Sequence, residues 1–240
     1  MRTDGRSPDQ IRPVTIEPEV LRYAEGSARI QMGETILICA ATLEEGIPKW
    51  LQGSGSGWVS AEYGMLPRST HSRIRRQKAL SGGRSQEISR LIGRSLRAAV
   101  DLKALGEHQV TVDCDVLQAD GGTRTAAITG GFVALALAFR FMKEQGIISK
   151  IPLSHYVAAI SVGLHSGQAL LDLNYDEDSN THTDMNFAMT HDKCFIEIQG
   201  TAEETPFSRQ ELDQLLALAE KGCLELLAKQ KEIVGEFISF

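Results

Sequence analysis

The order of patterned segments predicts an α+β fold, built as a single domain over residues 1–240. Two observations carry this. Segments with the two-residue alternation of half-buried strands are interrupted by segments of helical spacing, in the order strands, helix, strand, helix, strands, helix. No linker or break in composition divides the 240 residues, although that length also accommodates two small domains. Runs of strands punctuated by helices place the helices on one side of mixed sheets.

Residues 1–13 are polar, with Pro8 and Pro13, and are expected to be irregular, with Arg2, Arg6 and Arg12 adding charge. Residues 14–16 start a strand. Residues 27–32 and 35–43 form a hairpin joined at Gly33-Glu34. The glycine string GSGSG at 53–57 lacks a strand–helix frame and is expected to be a flexible loop rather than a nucleotide loop. Residues 58–63 make a short strand and Gly64-Met65-Leu66-Pro67 a turn.

Residues 68–83 are too polar for a core and have no apolar stripe. They are either a solvated charged loop or a flexible basic arm that neutralises phosphates. A helix follows over about 86–105, with Ile88, Leu91, Ile92, Leu96 and Val100 as its buried stripe and Ser85 as its cap.

The stretch from Val110 to Gly131 organises the rest. Val110, Val112, Cys114 and Val116 alternate with Thr111, Asp113 and Asp115 as a half-buried strand. Asp120-Gly121-Gly122 then turns, since paired glycines permit positive φ and close approach to a ligand. A helix begins at about Thr125 and runs through the apolar residues 132–142. Unpaired amides at a helix start, beside the Arg124 guanidinium, form a pocket for an anion such as phosphate. Gly82-Gly83-Arg84 repeats that chemistry, so the two arginine-bearing bends would clamp one phosphate from two sides. A plain connection with a solvated arginine is the competing reading.

Residues 156–164 and 169–173 form a second hairpin around Ser166-Gly167. An acidic strand end and loop, Asp172 to Asp178, precedes a strand opened by Asp184 that pairs with residues 194–199. Carboxylates converging at strand ends are hard oxygen ligands suited to magnesium; solvated acidic loops are the alternative. Ser208 to Glu211 is a capping box that opens a long amphipathic helix.

With 42% hydrophobic and 23% charged residues there is ample material for a core. No apolar run approaches the ~20 residues that span a bilayer, and the first thirteen residues lack a signal-peptide apolar region. A cytoplasmic protein with no membrane partner is expected. Cys39, Cys114, Cys194 and Cys223 form no CxxC pair and read as reduced core residues, not disulfides or zinc ligands. Residues 68–97 hold nine Lys/Arg and one acid, a local charge of +8 in a chain of net charge −6, so the remainder carries −14. A basic segment in an acidic chain points to a dedicated polyanion surface.

The motifs QADGGTRTA at 118–126, AEYGMLPRST at 61–70, GGR at 82–84, RLIGRSLRAAVDLKALGE at 90–107 and EIQGTAEETPFS at 197–208 together resemble the ribonuclease PH family, and the likeness spans nearly the whole chain. The resemblance implies a two-layer α+β fold shared with a ribosomal S5 domain. It also implies a phosphorolytic 3′-to-5′ exoribonuclease, a nucleotidyltransferase that trims precursor tRNA, and possible rRNA precursors, with release of nucleoside 5′-diphosphates. The family's phosphate-binding positions fall on Arg84, Gly122, Thr123 and Arg124. Its carboxylates, implicated in metal binding and catalysis, fall on Asp178 and Asp184, with Mg2+ as the implied ion and inorganic phosphate as co-substrate. Its RNA-contacting arginines match Arg68, Arg73 and Arg76, with Arg75 among them. The implied assembly is a homohexamer, a trimer of dimers. Departures are a shorter basic loop before Gly82, Ser85 in place of threonine and Glu204 in place of glycine. A catalytically silent RNA-binding ring subunit, a small-molecule kinase and a hydrolytic nuclease are the alternatives; intact Arg84, Arg124, Asp178 and Asp184 argue against the first, and the missing ATP loop against the second.

Overall fold

The computed structural model describes residues 2–165, 167–203 and 205–238, without the side chains of 78, 80 and 81. Ser166 of the second hairpin turn and Glu204 lie outside the described residues.

The chain forms an α+β structure with two sheets. Strands β1 (Val14–Pro18), β2 (Gly26–Met32), β3 (Thr35–Glu44), β4 (Trp58–Met65) and β5 (Gln109–Gln118) make the first, in the order β1-β2-β3-β5-β4. Its neighbours are antiparallel except β4 and β5, which run parallel, with Trp58 opposite Gln109 and Met65 opposite Val116. A parallel pair needs a crossover, and helices α1 (Arg76–Ser81), α2 (Gly83–Arg97) and α3 (Leu102–Leu105) lie along it. The second sheet is antiparallel throughout, in the order β7-β6-β8-β9: β6 (Val157–His165), β7 (Gln168–Leu171), β8 (Thr183–Thr190) and β9 (Phe195–Ala202).

Helix α4 (Thr123–Glu144) packs against both sheets. Contrary to the expectation that no apolar run reaches membrane length, it is long and apolar enough to cross a membrane, yet 89% of its apolar window is buried inside the protein. Phe132 and Phe139 are fully buried there, joined by Phe187 of β8. Removing each such side chain from water contributes about 1.5–3 kcal/mol. At Gly26 a Cβ would lie 2.1 Å from the Ala134 carbonyl oxygen, so only glycine lets β2 approach α4. Helix α6 (Arg209–Val234) closes the second sheet, and its buried Gln230 donates to the carbonyls of Thr129 and Val157, tying α6, α4 and β6 together. Ser208 caps α6 in the predicted capping box.

Five local expectations are corrected. The helix foreseen over 86–105 breaks after Arg97, because the Asp101 carboxylate accepts from the amides of Lys103 and Ala104 and starts α3. Ser85 is no cap: it is buried within α2 and donates to the Ala79 carbonyl, while Gly82 holds the N-cap position. The basic stretch is not all loop, since α1 runs through it. The acidic stretch after β7 is not all solvated loop: Asp172 is fully buried, and helix α5 (Tyr175–Ser179), with Asp176 and Asp178 exposed, is capped by Asn174 with Glu177 completing a capping box. Cys39, Cys114 and Cys223 are buried, but Cys194 is exposed in the turn before β9.

Candidate active site

Strand β5 delivers the chain to Asp120, and two consecutive left-handed glycines, Gly121 (φ 73°) and Gly122 (φ 65°), turn it into α4. Both conformations favour glycine, and neither position has room to spare. A Cβ on Gly121 would fall 2.5 Å from the Leu173 carbonyl oxygen, and one on Gly122 would fall 3.0 Å from Nη2 of Arg12. Gly122 is the N-cap of α4, without a side-chain cap bond, so Thr123 and Arg124 occupy the first turn where amides lack intrahelical partners and the dipole is positive. Helix α2 repeats this arrangement: Gly82 is its N-cap and Arg84, like Arg124, is its second residue.

The two helix starts open on one cleft of about 480 Å³. Arg84, Gly122, Thr123 and Arg124 line it together with Asp178 of α5 and Asp184 of β8. All six residues predicted for phosphate and metal binding therefore converge from four separate segments. Thr70, Ser161, Tyr175, Asn186 and Glu203 add to its polar lining.

Arg124 Nη1 donates to Gln199 Oε1 at 2.8 Å, and Gln199 Nε2 donates to Glu87 Oε1 at 3.0 Å, which bridges β9 to α2. The hydroxyls of Thr123 and Tyr63 are 2.8 Å apart. Burial raises the Tyr63 pKa, while that hydrogen bond and the charges of Arg84 and Arg124 oppose the rise. Asp178 keeps part of its surface open to solvent, yet the cleft walls desolvate its carboxyl. That desolvation, then the charge of Asp184, holds its pKa above the ordinary value, against the pull of Arg124 and Arg84. Paired cations beside paired carboxylates can take a phosphate on one side and a cation on the other. The carboxylates and the amide of Asn186 are hard oxygen donors of the kind magnesium uses alongside substrate phosphates.

The predicted RNA-binding arginines lie elsewhere. Arg68, Arg73, Arg75 and Arg76 are exposed, and none lines the cleft. Arg68 borders an adjoining hollow that shares Thr70 and Ala119 with it, and its Nη1 donates to the His71 carbonyl at 2.8 Å.

Tyr63, Ser161, Asn186 and Gln199 escaped sequence reasoning. Tyr63 carries the one available signal, a polar tip on an otherwise buried strand face, which demands a partner. The others are single polar residues on alternating strands.

Comparison with known proteins places the chain in a family. The model of the 3′ exoribonuclease family, domain 1, matches residues 10–140, and that of domain 2 matches residues 155–222. Ribonuclease PH of Bdellovibrio bacteriovorus is 62% identical over 98% of this chain and 97% of its own length, and ribonuclease PH of a Methylobacterium species 56% over 98% and 100%. Among solved structures, the Archaeoglobus fulgidus exosome with RNA bound to the active site superposes with a TM-score of 0.80 at 22% identity, covering 95% of this chain and 92% of that one. An archaeal exosome core gives 0.76 at 24% identity, covering 96% and 91%. The fold is common to all of these, and by sequence the chain belongs to the 3′ exoribonuclease family.

Proposed function

We propose that the cleft performs phosphorolysis at the 3′ end of RNA, as a nucleotidyltransferase that trims precursor tRNA, and rRNA where ends are exposed, in the cytoplasm. The carrying observation is that Arg84 and Arg124, each second in its helix, open on one cleft facing Asp178 and Asp184. Inorganic phosphate sits between the two guanidiniums and the amides near Gly122 and Thr123. Bringing phosphate against a phosphodiester sets two anions together; arginines and helix amides offset that repulsion and fix an in-line approach. No side-chain nucleophile is required, because a phosphate oxygen attacks the terminal phosphodiester phosphorus and the bond from that phosphorus to the 3′-oxygen of the preceding nucleotide breaks; the shortened RNA keeps that oxygen as its new 3′-hydroxyl, and the terminal nucleotide is released as a nucleoside 5′-diphosphate. Asp178 and Asp184 would hold a Mg2+ ion, which when bound neutralises charge on the scissile phosphate and the leaving oxygen. Arg68, Arg73, Arg75 and Arg76 hold the RNA backbone without reading its sequence. The working assembly is a ring of six, a trimer of dimers.

A short 3′-extended RNA incubated with and without phosphate tests this. Nucleoside 5′-diphosphates released only with phosphate are expected. Monophosphates released without phosphate would make the protein a hydrolase. RNA binding with no release at all would make it a silent ring subunit.

A further inference from the structure

The amino-terminal segment is irregular, but its arginines are not solvated. Arg2 and Arg12 are buried, and Arg6 is anchored to Asp172 and Asp4. Arg12 makes the most specific contacts. Its main-chain amide, Nε and Nη2 all donate to the Asp172 carboxylate, at 2.7, 3.0 and 2.6 Å, and its Nη1 donates to the carbonyl of Asp120. Asp172 is fully buried and itself left-handed, with φ 55°. That conformation costs a non-glycine residue energy and persists where its surroundings over-determine it. The Asp172 main-chain amide donates to the Ser161 carbonyl, and Ser161 Oγ accepts from Leu173 N–H. On the other side of the bend, Thr35 Oγ1 accepts from the Asp120 amide at 2.9 Å and donates to the Gly121 carbonyl at 2.7 Å. Arg2 pairs with both Glu177 oxygens at 2.7 Å, one residue before Asp178.

The phosphate bend therefore has no cap of its own and is gripped from two sides by groups that do not line the cleft. From these contacts we infer that Arg12 and Thr35 are positioning residues: they fix the Asp120–Gly122 bend so that the first amides of α4 point at the anion, with Asp172 as the buried counter-charge that locks Arg12. This rests on the phosphate reading above. Lysine at 12 keeps the charge but lacks the fork that reaches Asp172 and the Asp120 carbonyl together. Valine at 35 keeps the shape and removes both hydrogen bonds.

The test compares wild type with Arg12→Lys and Thr35→Val by calorimetric titration of inorganic phosphate and by separate KM values for phosphate and RNA. Displacement of such a bend by about 1 Å costs on the order of 100-fold. Arg12→Lys should weaken phosphate binding and raise its KM by roughly ten- to a hundred-fold, and Thr35→Val by roughly three- to ten-fold, with the KM for RNA within about two-fold of wild type. If Arg12→Lys fails to fold, Thr35→Val carries the test. Wild-type phosphate affinity in the folded variants, or equal losses for phosphate and RNA, would overturn the positioning role and leave the proposed function standing. A wild-type protein that neither binds phosphate nor uses it would instead overturn the proposed function, and this inference with it.

Discussion

Two helices reach the cleft behind a glycine pair with an arginine close after it, directly at Arg84 and one residue on, past Thr123, at Arg124, yet they are built differently. At α4 both glycines before the helix are left-handed and hemmed in, by the Leu173 carbonyl at one and by Arg12 at the other. At α2 the cap residue Gly82 is extended, Gly83 is already helical, and a Cβ on Gly83 would meet nothing within 4 Å. Arg124 is half-buried and bonded to Gln199, whereas Arg84 is exposed. The arginine stands second in each helix because α2 starts one residue earlier relative to its glycine pair than α4 does, and the shared position does not set how firmly the arginine is held. One wall of the cleft is fixed in advance and the other has room to adjust. Preorganised donors cost no reorganisation when charge develops, so the α4 side should contribute more to the rate.

The sharpest way to break this contrast is to remove the two arginines singly. Arg124→Ala should lower phosphorolysis by about 10³-fold, the cost of deleting a preorganised donor, while the thermal unfolding midpoint stays near wild type. Arg84→Ala should lose roughly ten- to a hundred-fold, chiefly in the KM for phosphate. Equal losses from both, read in steady-state phosphorolysis of a 3′-extended RNA, would mean that firmness does not matter.

The glycines give the next largest effect. Gly121→Ala and Gly122→Ala each force an L-residue into a left-handed conformation, at about 1–2 kcal/mol, and Gly121→Ala also drives a methyl into the Leu173 carbonyl. Both should lower Tm and cut activity by at least about ten-fold through the displaced bend. Gly83→Ala has open space and ordinary φ, so helix propensity should leave Tm unchanged or raise it slightly. Calorimetric melts of the three variants decide this; a Gly83→Ala penalty as large as that of Gly122→Ala would erase the difference between the two helix starts.

Much of this was legible because short-range rules suffice for it. Strand alternation gave both hairpins, and Gly121-Gly122 announced left-handed backbone because few other residues tolerate it. The pocket was legible from Thr123 and Arg124 at a helix start. What was hidden depends on distance along the chain. Nothing near Arg12 says that its guanidinium will meet Asp172 and Asp120, which lie 160 and 108 positions away. An arginine in an irregular polar segment looks solvated until its partner is known. The same holds for Gln199, whose role is set by Arg124 and Glu87 on other elements. The break before α3 was available locally, since Asp101 is a good N-cap, but an uninterrupted apolar stripe masked it.

The exposed arginines should act more weakly and more uniformly. Arg73→Ala and Arg76→Ala are expected to weaken RNA binding a few-fold each and to reduce the slope of log affinity against log salt by about one each, whatever the RNA sequence. Phosphate affinity should not change, because neither residue lines the cleft. Binding titrations at several salt concentrations would show this, and an unchanged slope would remove these residues from the RNA path.

The titration of Asp178 gives the smallest effect, and it registers both helix starts at once. Burial in the cleft, then Asp184, raises its pKa above the ordinary 3.8, and Arg124, ahead of Arg84, opposes that rise. Because the folded value is the higher one, the folded protein holds more protons than the unfolded chain between the two values. Stability from this group is therefore greatest at low pH and declines as pH climbs from about 3.8 through the raised value. Asp178→Asn should accordingly raise Tm modestly at neutral pH, a gain that disappears below about pH 3.8, even as it abolishes activity. Arg124→Gln should push the Asp178 midpoint higher than Arg84→Gln does, followed by NMR titration of the carboxyl carbon in metal-free, phosphate-free buffer. A larger shift from Arg84→Gln would place the stronger cation on the exposed wall and reverse the ranking of the two helix starts.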